Sequence, residues 1–313
     1  MEPISRDFTI DLRRLRVLRE LDHRGTVAAT ASALHLTPSA VSQQLAGLSR
    51  EVGVPLLEKH GRGVRLTGQA RLLLGHASVV MEQLERARAD LAAWQDGDAG
   101  EVRVASLSTA ISGVVAPAIA RLRSERPGLD VRAIEDEPPQ IFTRLDGGDV
   151  DIVIAADYRG APRRNDPHYH RVDLLTDRMD AVLPQGHPLA DPRGVRLSDL
   201  AAEPWIASNE YDPCAQITLA VCASAGFSPD IRHESKDWDA IGALVAAGAG
   251  VALVPQLAQP LRHSGIVVCP VIGTTASRLI FAAVRAGAQH DGATAAVLST
   301  LTTVAAERYE VAA

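Results

Sequence analysis

The sequence predicts an α + α/β chain in which a short helical head is joined by one long helix to an α/β body. Three observations carry that expectation. Residues 11 to 95 hold almost no alternating apolar pattern and are punctuated by Gly25, by Thr37 with Pro38, and by Gly53 with Pro55, which divides them into several helices. Apolar residues then recur at heptad spacing near the end of that stretch. From residue 101 the texture changes to short β-like runs with helical patterns between several of them.

The bulk numbers agree with this division. A chain of 313 residues is long enough for about two domains, each with its own core. With 46% apolar and 22% charged residues it is not a disordered chain. The formal charge of −6 is unevenly spread: residues 1 to 66 hold ten Lys/Arg and seven Asp/Glu, which is +3 and leaves −9 for the remainder. A basic head on an acidic body suggests that one part meets a polyanion and the other does not. Three cysteines, Cys214, Cys222 and Cys269, argue against a disulfide framework. The opening MEPISRDFTI has no basic segment followed by an apolar core, and no run of about 18 apolar residues appears. A cytoplasmic protein with no membrane partner is expected.

In the head, "GTVAATASALHLTPSAVSQQLAGLSREVG" reads as helix, tight turn, helix. Thr26 can cap the first helix, and Thr37 with Pro38 is a cap followed by a first-turn proline, where the missing N–H costs nothing. At about 100° per residue, Val41, Leu45 and Leu48 share one face. Ser39, Gln43, Ala46 and Arg50 point the other way, with Ser42 on a shoulder. Small residues let such a face approach another surface closely. Gln can bond an adenine edge twice, Ser can bond bases or phosphates, and Arg50 supplies charge, so the face suits double-stranded DNA. A solvated helix face would also accept these side chains. The segment that follows favours DNA: "LLEKHGRGVRLT" is an apolar anchor, then a Gly-rich basic turn with Lys59, His60, Arg62 and Arg65, then Leu66 and the Thr67 cap of the long helix. A wing beside a helix-turn-helix has this form, its arginines reaching phosphates or a narrow minor groove.

In the long helix, Leu73, Val80, Ala87 and Trp94 fall seven apart, with Ala77, Leu84 and Leu91 interleaved. These a and d positions predict a helix that pairs with its copy in a dimer. The competing reading is an amphipathic helix lying on its own domain. The breaker DGDAG follows.

The body offers strands at "EVRVAS" (101 to 106), "VRAIED" (131 to 136), "DIVIAA" (151 to 156), "DAVLP" (180 to 184), "WIAS" (205 to 208), "VALVP" (251 to 255) and "RLIFAAV" (278 to 284).

The run "DLRRLRVLRELDHRGTVAATASALHLTPSAVSQQLAGLSREVGVPLLEKHGRGVRLTGQA" resembles the amino-terminal domain of LysR-type transcriptional regulators. The body resembles theirs through "DAVLPQGHPLA", "LSDLAAEPWI", "CASAGFSP" and "ALVAAGAGVALVP". The resemblance implies a winged helix-turn-helix over 1–66, a linker and dimerisation helix over 67–96, and over 100–306 a two-lobed effector-binding domain like that of periplasmic solute-binding proteins. Lobe 1 is expected at about 100–174 and 273–306, and lobe 2 at about 175–272. It further implies a homodimer or homotetramer, a small-molecule effector that is a carboxylate or amino-acid-like metabolite, RNA polymerase as a candidate partner, and no cofactor. Residue by residue, Ser39, Ala40, Ser42, Gln43 and Gln44 fall where the family's recognition helix contacts DNA and Arg62 and Arg65 where its wing does; the cap Thr37 and the charge of Arg50 complete the candidate DNA-binding set. The sequence departs from the family at Gln43 and Ala46, where Arg is frequent, and at Leu57, commonly Phe.

Ligands in open α/β sheets sit at the carboxyl ends of strands, where helix N-termini point. Ser106, Ser108 and Thr109 follow the first body strand and are placed to meet a small anion; the family's effectors contact this turn, and the same hydroxyls could simply cap a helix. Strand-end logic adds Glu135, Glu137, Asp157, Asn209 and Trp238 to the cleft wall, and Gln140 on the helix after Pro139. So many carboxylates allow an amine-bearing or zwitterionic effector, although exposed acidic loops explain them too. Asp212 and Pro213 place Cys214 in a first helical turn that favours a thiolate, with Cys222 eight residues on, a separation near that in the family's peroxide-sensing branch. Eight helical residues span about 12 Å, beyond the about 4.4 to 6.8 Å of a disulfide, so a buried Cys222 and an incidental Cys214 are expected. Enzyme signatures such as a phosphate-binding Gly-rich loop, G-x-S-x-G or H-E-x-x-H are absent from the sequence. "HYH" (168 to 170) with Asp173 reads as a solvated loop rather than a metal site.

Overall fold

A computed structural model describes residues 10–60, 63–93, 100–158, 161–208, 212–259 and 263–309. The head begins with α1 (Leu12–Arg24), capped by Asp11, whose carboxylate accepts from Arg13 N–H. It ends at Gly25, whose φ of 73° is open to a residue without Cβ. Thr26 caps α2 (Val27–Ala33), and Thr37 with Pro38 opens α3 (Pro38–Val52), as the sequence predicts. Strands β1 (Leu57–His60) and β2 (Gly63–Leu66) pair antiparallel as the wing, with Leu57 opposite Leu66. Thr67 Oγ1 accepts from Ala70 N–H and starts α4 (Gly68–Ala93).

One core holds the head together: Leu18 and Leu21 of α1, Ala31 of α2, Val41, Leu45 and Leu48 of α3, and Leu56 and Leu66 at the wing. Ala70, Leu74 and Ala77 of α4 join that core. The first turns of the long helix therefore do lie on their own domain, while Val80, Leu84 and Leu91 remain exposed.

The body continues with β3 (Gly100–Ser106), a helical run made of α5 (Ser108–Ala110), a π turn (Ile111–Val115) and α6 (Ala116–Glu125), then β4 (Leu129–Glu135), α7 (Gln140–Gly147), β5 (Ile152–Ala156) and β6 (Tyr169–Pro184). Next come β7 (Pro204–Ala207), α8 (Pro213–Ser224), β8 (Asp230–Glu234), α9 (Trp238–Ala246), β9 (Ala252–Pro255), β10 (Ile266–Cys269), β11 (Ser277–Arg285) and α10 (Gly292–Arg308). The main sheet runs in the order β10-β6-β11-β5-β3-β4, with β9 also on β6, and β7 pairs β8 in a small second sheet. β3 is parallel to β4 and β5, whereas β11 is antiparallel to β5 and β6.

Strand β6 makes the body two-lobed. Its 16 residues pair with β11 from Tyr169 to Arg178, then with β9 and β10 from Met179 to Pro184. One lobe has apolar cores on both faces of its sheet, including Val104, Ile154 and Leu301 on one side and Ile141, Phe142 and Phe281 on the other. The second lobe is built around Trp205, Leu183 and Val251. The expected solvated loop at 168 to 170 is corrected: Tyr169 is buried and begins β6, because its ring packs on Phe142 at 5.8 Å and its hydroxyl donates to Asp146 at 2.9 Å. The first half of β6, β8 and β10 add to the strands expected from sequence.

Candidate DNA-binding face and interlobe cleft

Helix α3 presents two chemically distinct faces. Val41, Leu45 and Leu48 are buried, whereas Ser39, Ser42, Gln43, Ala46 and Arg50 are exposed. Thr37 Oγ1 accepts from Ala40 N–H at 3.1 Å, so its hydroxyl oxygen is engaged as a cap. Ser42 Oγ donates to Pro38 O at 2.9 Å and Arg50 Nε to Ala46 O at 3.4 Å. Ala40 and Gln44 are half-buried at the edge of the face. On the wing, Arg65 Nε donates to Glu58 Oε1 at 2.7 Å, with both side chains about half exposed. Such a pair contributes on the order of 0–1 kcal/mol, little enough for a phosphate to displace the carboxylate. Arg62 lies outside the described residues.

Between the lobes is a cavity of about 130 Å³. Its first wall is the turn after β3, with Leu107, Ser108 and Thr109, and its second the segment before α7, with Glu137 and Pro138. The other lobe contributes Asp212, Pro213 and Cys214 from the start of α8, and Lys236 and Trp238 from the start of α9. Arg278 of β11 reaches in from the sheet. Its Nε donates to Asp177 Oδ2 at 2.8 Å, its Nη2 to Thr109 Oγ1 at 2.8 Å, and its Nη1 to Cys214 Sγ at 3.2 Å. Burial works against the Arg278 charge, but Cys214 and Asp177 outweigh it and hold its pKa up. Burial also pushes the Asp177 carboxyl up, opposed by Arg278 and by the Leu257 N–H. Glu137 is raised by burial first and by Asp212 second, with Arg278 and Lys236 pulling the other way.

Ser108, Thr109, Glu137 and Trp238 are thus brought together around one cavity. Ser106 is fully buried and its Oγ donates to Leu107 O at 3.1 Å. Glu135 stands opposite Ser106 in the β3–β4 register but is exposed. Asp157 accepts from Arg171 at 3.2 Å, and Gln140 lines a different crevice between head and body. Asn209 lies outside the described residues. Sequence reasoning missed Arg278, Asp212 and Lys236 as wall residues; the available signal was an arginine inside the otherwise apolar strand "SRLIFAAV".

Cys214 does not have the incidental place expected of it. It stands in the cleft wall within reach of Arg278, and burial pushes its thiol up to about 11, with Arg278 pulling down, instead of leaving a helix-stabilised thiolate. Cys222 is buried, and burial pushes it up to about 12. Among the described residues, one group of three potential metal ligands occurs, Glu20, His23 and Asp146. Arg24 holds Glu20 at 2.7 Å and Arg19 lies 3.8 Å from Asp146, so cations of the chain already serve the two carboxylates.

A DNA-sized polar helix face with a wing, joined to a two-lobed body with a polar cleft, defines the class of ligand-responsive DNA-binding proteins. Residues 12–71 match the family of bacterial regulatory helix-turn-helix proteins of the lysR type, and residues 95–306 match the LysR substrate binding domain. The chain belongs to the LysR family and is a DNA-binding transcriptional regulator with an effector-binding domain. It is 28% identical over 247 residues to the transcriptional dual regulator GltC of Bacillus subtilis, covering 79% of this chain and 81% of that one. To a probable hydrogen peroxide-inducible genes activator of Mycobacterium leprae it is 30% identical over 250 residues, covering 79% and 78%. These relatives are transcriptional regulators rather than enzymes. In fold it is similar to CbnR complexed with its target DNA, at a TM-score of 0.57 and 22% identity, covering 95% of this chain and 100% of that one. A full-length OxyR variant from Pseudomonas aeruginosa gives a TM-score of 0.61 at 20% identity, covering 94% and 98%. No helix among the described residues is long and apolar enough to cross a membrane.

Proposed function

We propose that a small organic effector binds the interlobe cleft and changes how paired copies of this cytoplasmic regulator present α3 to an operator. The observation that carries the DNA half is the exposed polar face of α3 beginning just past Thr37, backed by Val41, Leu45 and Leu48. Ser39, Ala40, Ser42, Gln43 and Gln44 read the major groove, and Arg50, Arg62 and Arg65 hold phosphates or the minor groove beside it. The proposed division is 1–66 for the head, 67–96 for the linker helix and 100–306 for the effector-binding domain.

The cavity of about 130 Å³ is close to the about 150 Å³ that holds benzene in an engineered core, which points to a small effector. Lys236 and Arg278 line it together with Glu137 and Asp212, Lys236 Nζ lying 3.9 Å from Asp212 Oδ2, and this mixture of charges supports an amino-acid-like zwitterion over a simple carboxylate. The exposed Val80, Leu84 and Leu91 of α4 support pairing with a second copy, and two such pairs make a homotetramer. RNA polymerase is the natural partner on the promoter.

Titrating operator and random duplexes tests the DNA reading. Gln43→Ala is expected to lose about 1–3 kcal/mol of discrimination between operators, whereas Arg65→Ala weakens binding to all duplexes and lowers the salt slope by about 1. Equal losses on specific and random DNA for Gln43→Ala would contradict the base-reading role. Thermal shift across amino acids, amines and aromatic acids tests the cleft; stabilisation by simple carboxylates alone removes the zwitterion.

A further inference from the structure

We propose that Arg24 and Arg19 are positioning residues that tie the DNA-reading head to the interlobe cleft through helix α7. The inference rests on the reading of that cleft as the effector site. It concerns a route within one chain, separate from pairing through α4.

The segment before α7 and the helix itself form one hydrogen-bonded unit. Ile141 N–H donates to Glu137 O and Phe142 N–H to Pro139 O, each at 3.2 Å. Asp136 accepts from Glu137 N–H at 2.9 Å and from Arg144 Nε at 2.6 Å. Glu137 stands in the cleft wall, so a ligand that displaces it also acts on α7. Ile141, Phe142 and Leu145 are buried against the sheet, with Phe142 stacked on Phe281 at 6.3 Å. Close packing of this kind makes the helix shift as a body rather than deform.

The other side of α7 faces the head. Thr143 Oγ1 accepts from Arg24 Nη2, and Asp146 Oδ1 lies 3.8 Å from Arg19 Nη2. Arg24 is itself held by the buried Glu20, whose Oε1 accepts from Nε at 2.7 Å. All three head residues belong to α1, which shares its core with α3. From Gln140, the first residue of α7, to Thr143 is three residues, roughly 4.5 Å of helical rise.

The contact is sparse. An open crevice of about 780 Å³ separates α1 and α2 from α7, so a few polar groups make the direct contact between them. Meanwhile α4 is anchored to the body separately. Arg285 Nε donates to Glu85 Oε1 at 3.2 Å, Ser78 Oγ and His168 Nε2 are 3.2 Å apart, and Gly287 lies so close to α4 that a Cβ there would meet Glu82 O at 2.6 Å. Losing the Arg24 and Arg19 contacts therefore removes the direct link between α1 and α7 and leaves the attachment through α4 intact.

Linkage makes this testable with DNA alone. Any effect of a cleft ligand on DNA affinity requires an equal effect of DNA on the cleft. Hydrogen exchange is measured on the full chain over residues 136 to 146, with and without an operator duplex. In the wild type, DNA is expected to change exchange there by about fivefold or more. Arg19→Ala with Arg24→Ala should still retard the duplex in a gel and lose that response, and Arg19→Lys with Arg24→Lys should recover part of it. Should the alanine variant unfold, Thr143→Val with Asp146→Asn removes only the body's side of the contact and must give the same loss. An undiminished response in these variants, or a wild type that binds DNA without any change at 136 to 146, overturns the coupling while leaving the regulator reading in place. A wild type that retards no duplex overturns both, and the gel alone separates the cases.

Discussion

Replacing Arg278 by Met tests whether the cleft floor is a desolvated charge pair. The Arg278 and Asp177 side chains are 5% and 0% exposed, so water cannot replace the partner that is lost. In the variant, Asp177 keeps the Leu257 N–H at 3.0 Å but no cation, and Thr109 Oγ1 loses its donor. Stranding one charge of a buried pair costs about 3–5 kcal/mol. At about 2–4 °C per kcal/mol for a domain of this size, the calorimetric transition of the α/β body should fall by roughly 6–20 °C. Adding Asp177→Asn removes the stranded charge and preserves an acceptor for Leu257 N–H, so the double variant should regain at least about 2 kcal/mol. The sign with pH follows from the same groups. Without Arg278 the folded-state pKa of Asp177 rises further above its unfolded value, so the penalty is full at neutral pH and shrinks as acid protonates the carboxyl. A single variant that loses under about 1 kcal/mol, or a double variant no better than the single, would refute the reasoning.

Three other perturbations probe the cleft, the linker helix and the thiols. Glu137→Gln should stabilise the chain at neutral pH relative to wild type. The folded-state pKa is raised by burial and then by Asp212, so the wild type loses stability as pH rises above the ordinary glutamate range; a gap between the two melting curves that fails to close on acidification counts against it. Val80→Asp with Leu84→Asp, at side chains 45% and 46% exposed in the single chain, should leave the fold intact and lower the sedimenting mass; an unchanged assembly excludes that stripe as the pairing seam. Peroxide should leave DNA binding of the wild type unchanged, and a peroxide response that vanishes in Cys214→Ser would reverse the present reading of that residue.

The parts of the molecule legible in sequence are those set by local rules. Caps at Thr26 and Thr37, the apolar face of Val41, Leu45 and Leu48, and the paired strands of the wing depend on neighbours within a few residues, and each has its expected place or face. The first half of β6 was illegible because its charges are satisfied partly along the strand and partly across the sheet. Arg171 donates to Asp173 at 3.1 Å and lies 3.7 Å over the Phe281 ring, while Asp177 meets Arg278 from β11. Strand-end reasoning found the correct edge of the sheet for the cleft but could not choose within it. Ser106 and Glu135 share a register position, yet one is buried and the other exposed, and neither lines the cavity. Arg278 has no local signature of its role, since its partners Asp177, Thr109 and Cys214 lie about 60 to 170 residues away in sequence.

The same network decides how Cys214 should be read. A relative named as a hydrogen peroxide-inducible genes activator invites a redox assignment, but a disulfide switch requires a thiolate and a reachable second sulfur. Here α8 is continuous from Pro213 to Ser224, holding Cys214 and Cys222 on one helix about 12 Å apart, beyond disulfide reach. Burial raises both thiols, and the cation beside Cys214 is already neutralised by Asp177, which limits how far Arg278 can favour the anion. Joining Cys214 to Cys222 in a disulfide would therefore require the helix to unwind and the Cys214–Arg278 contact to break. A ligand needs neither step, because Ser108, Glu137, Lys236 and Trp238 already face one cavity, and the arrangement as it stands suits recognition better than thiol chemistry.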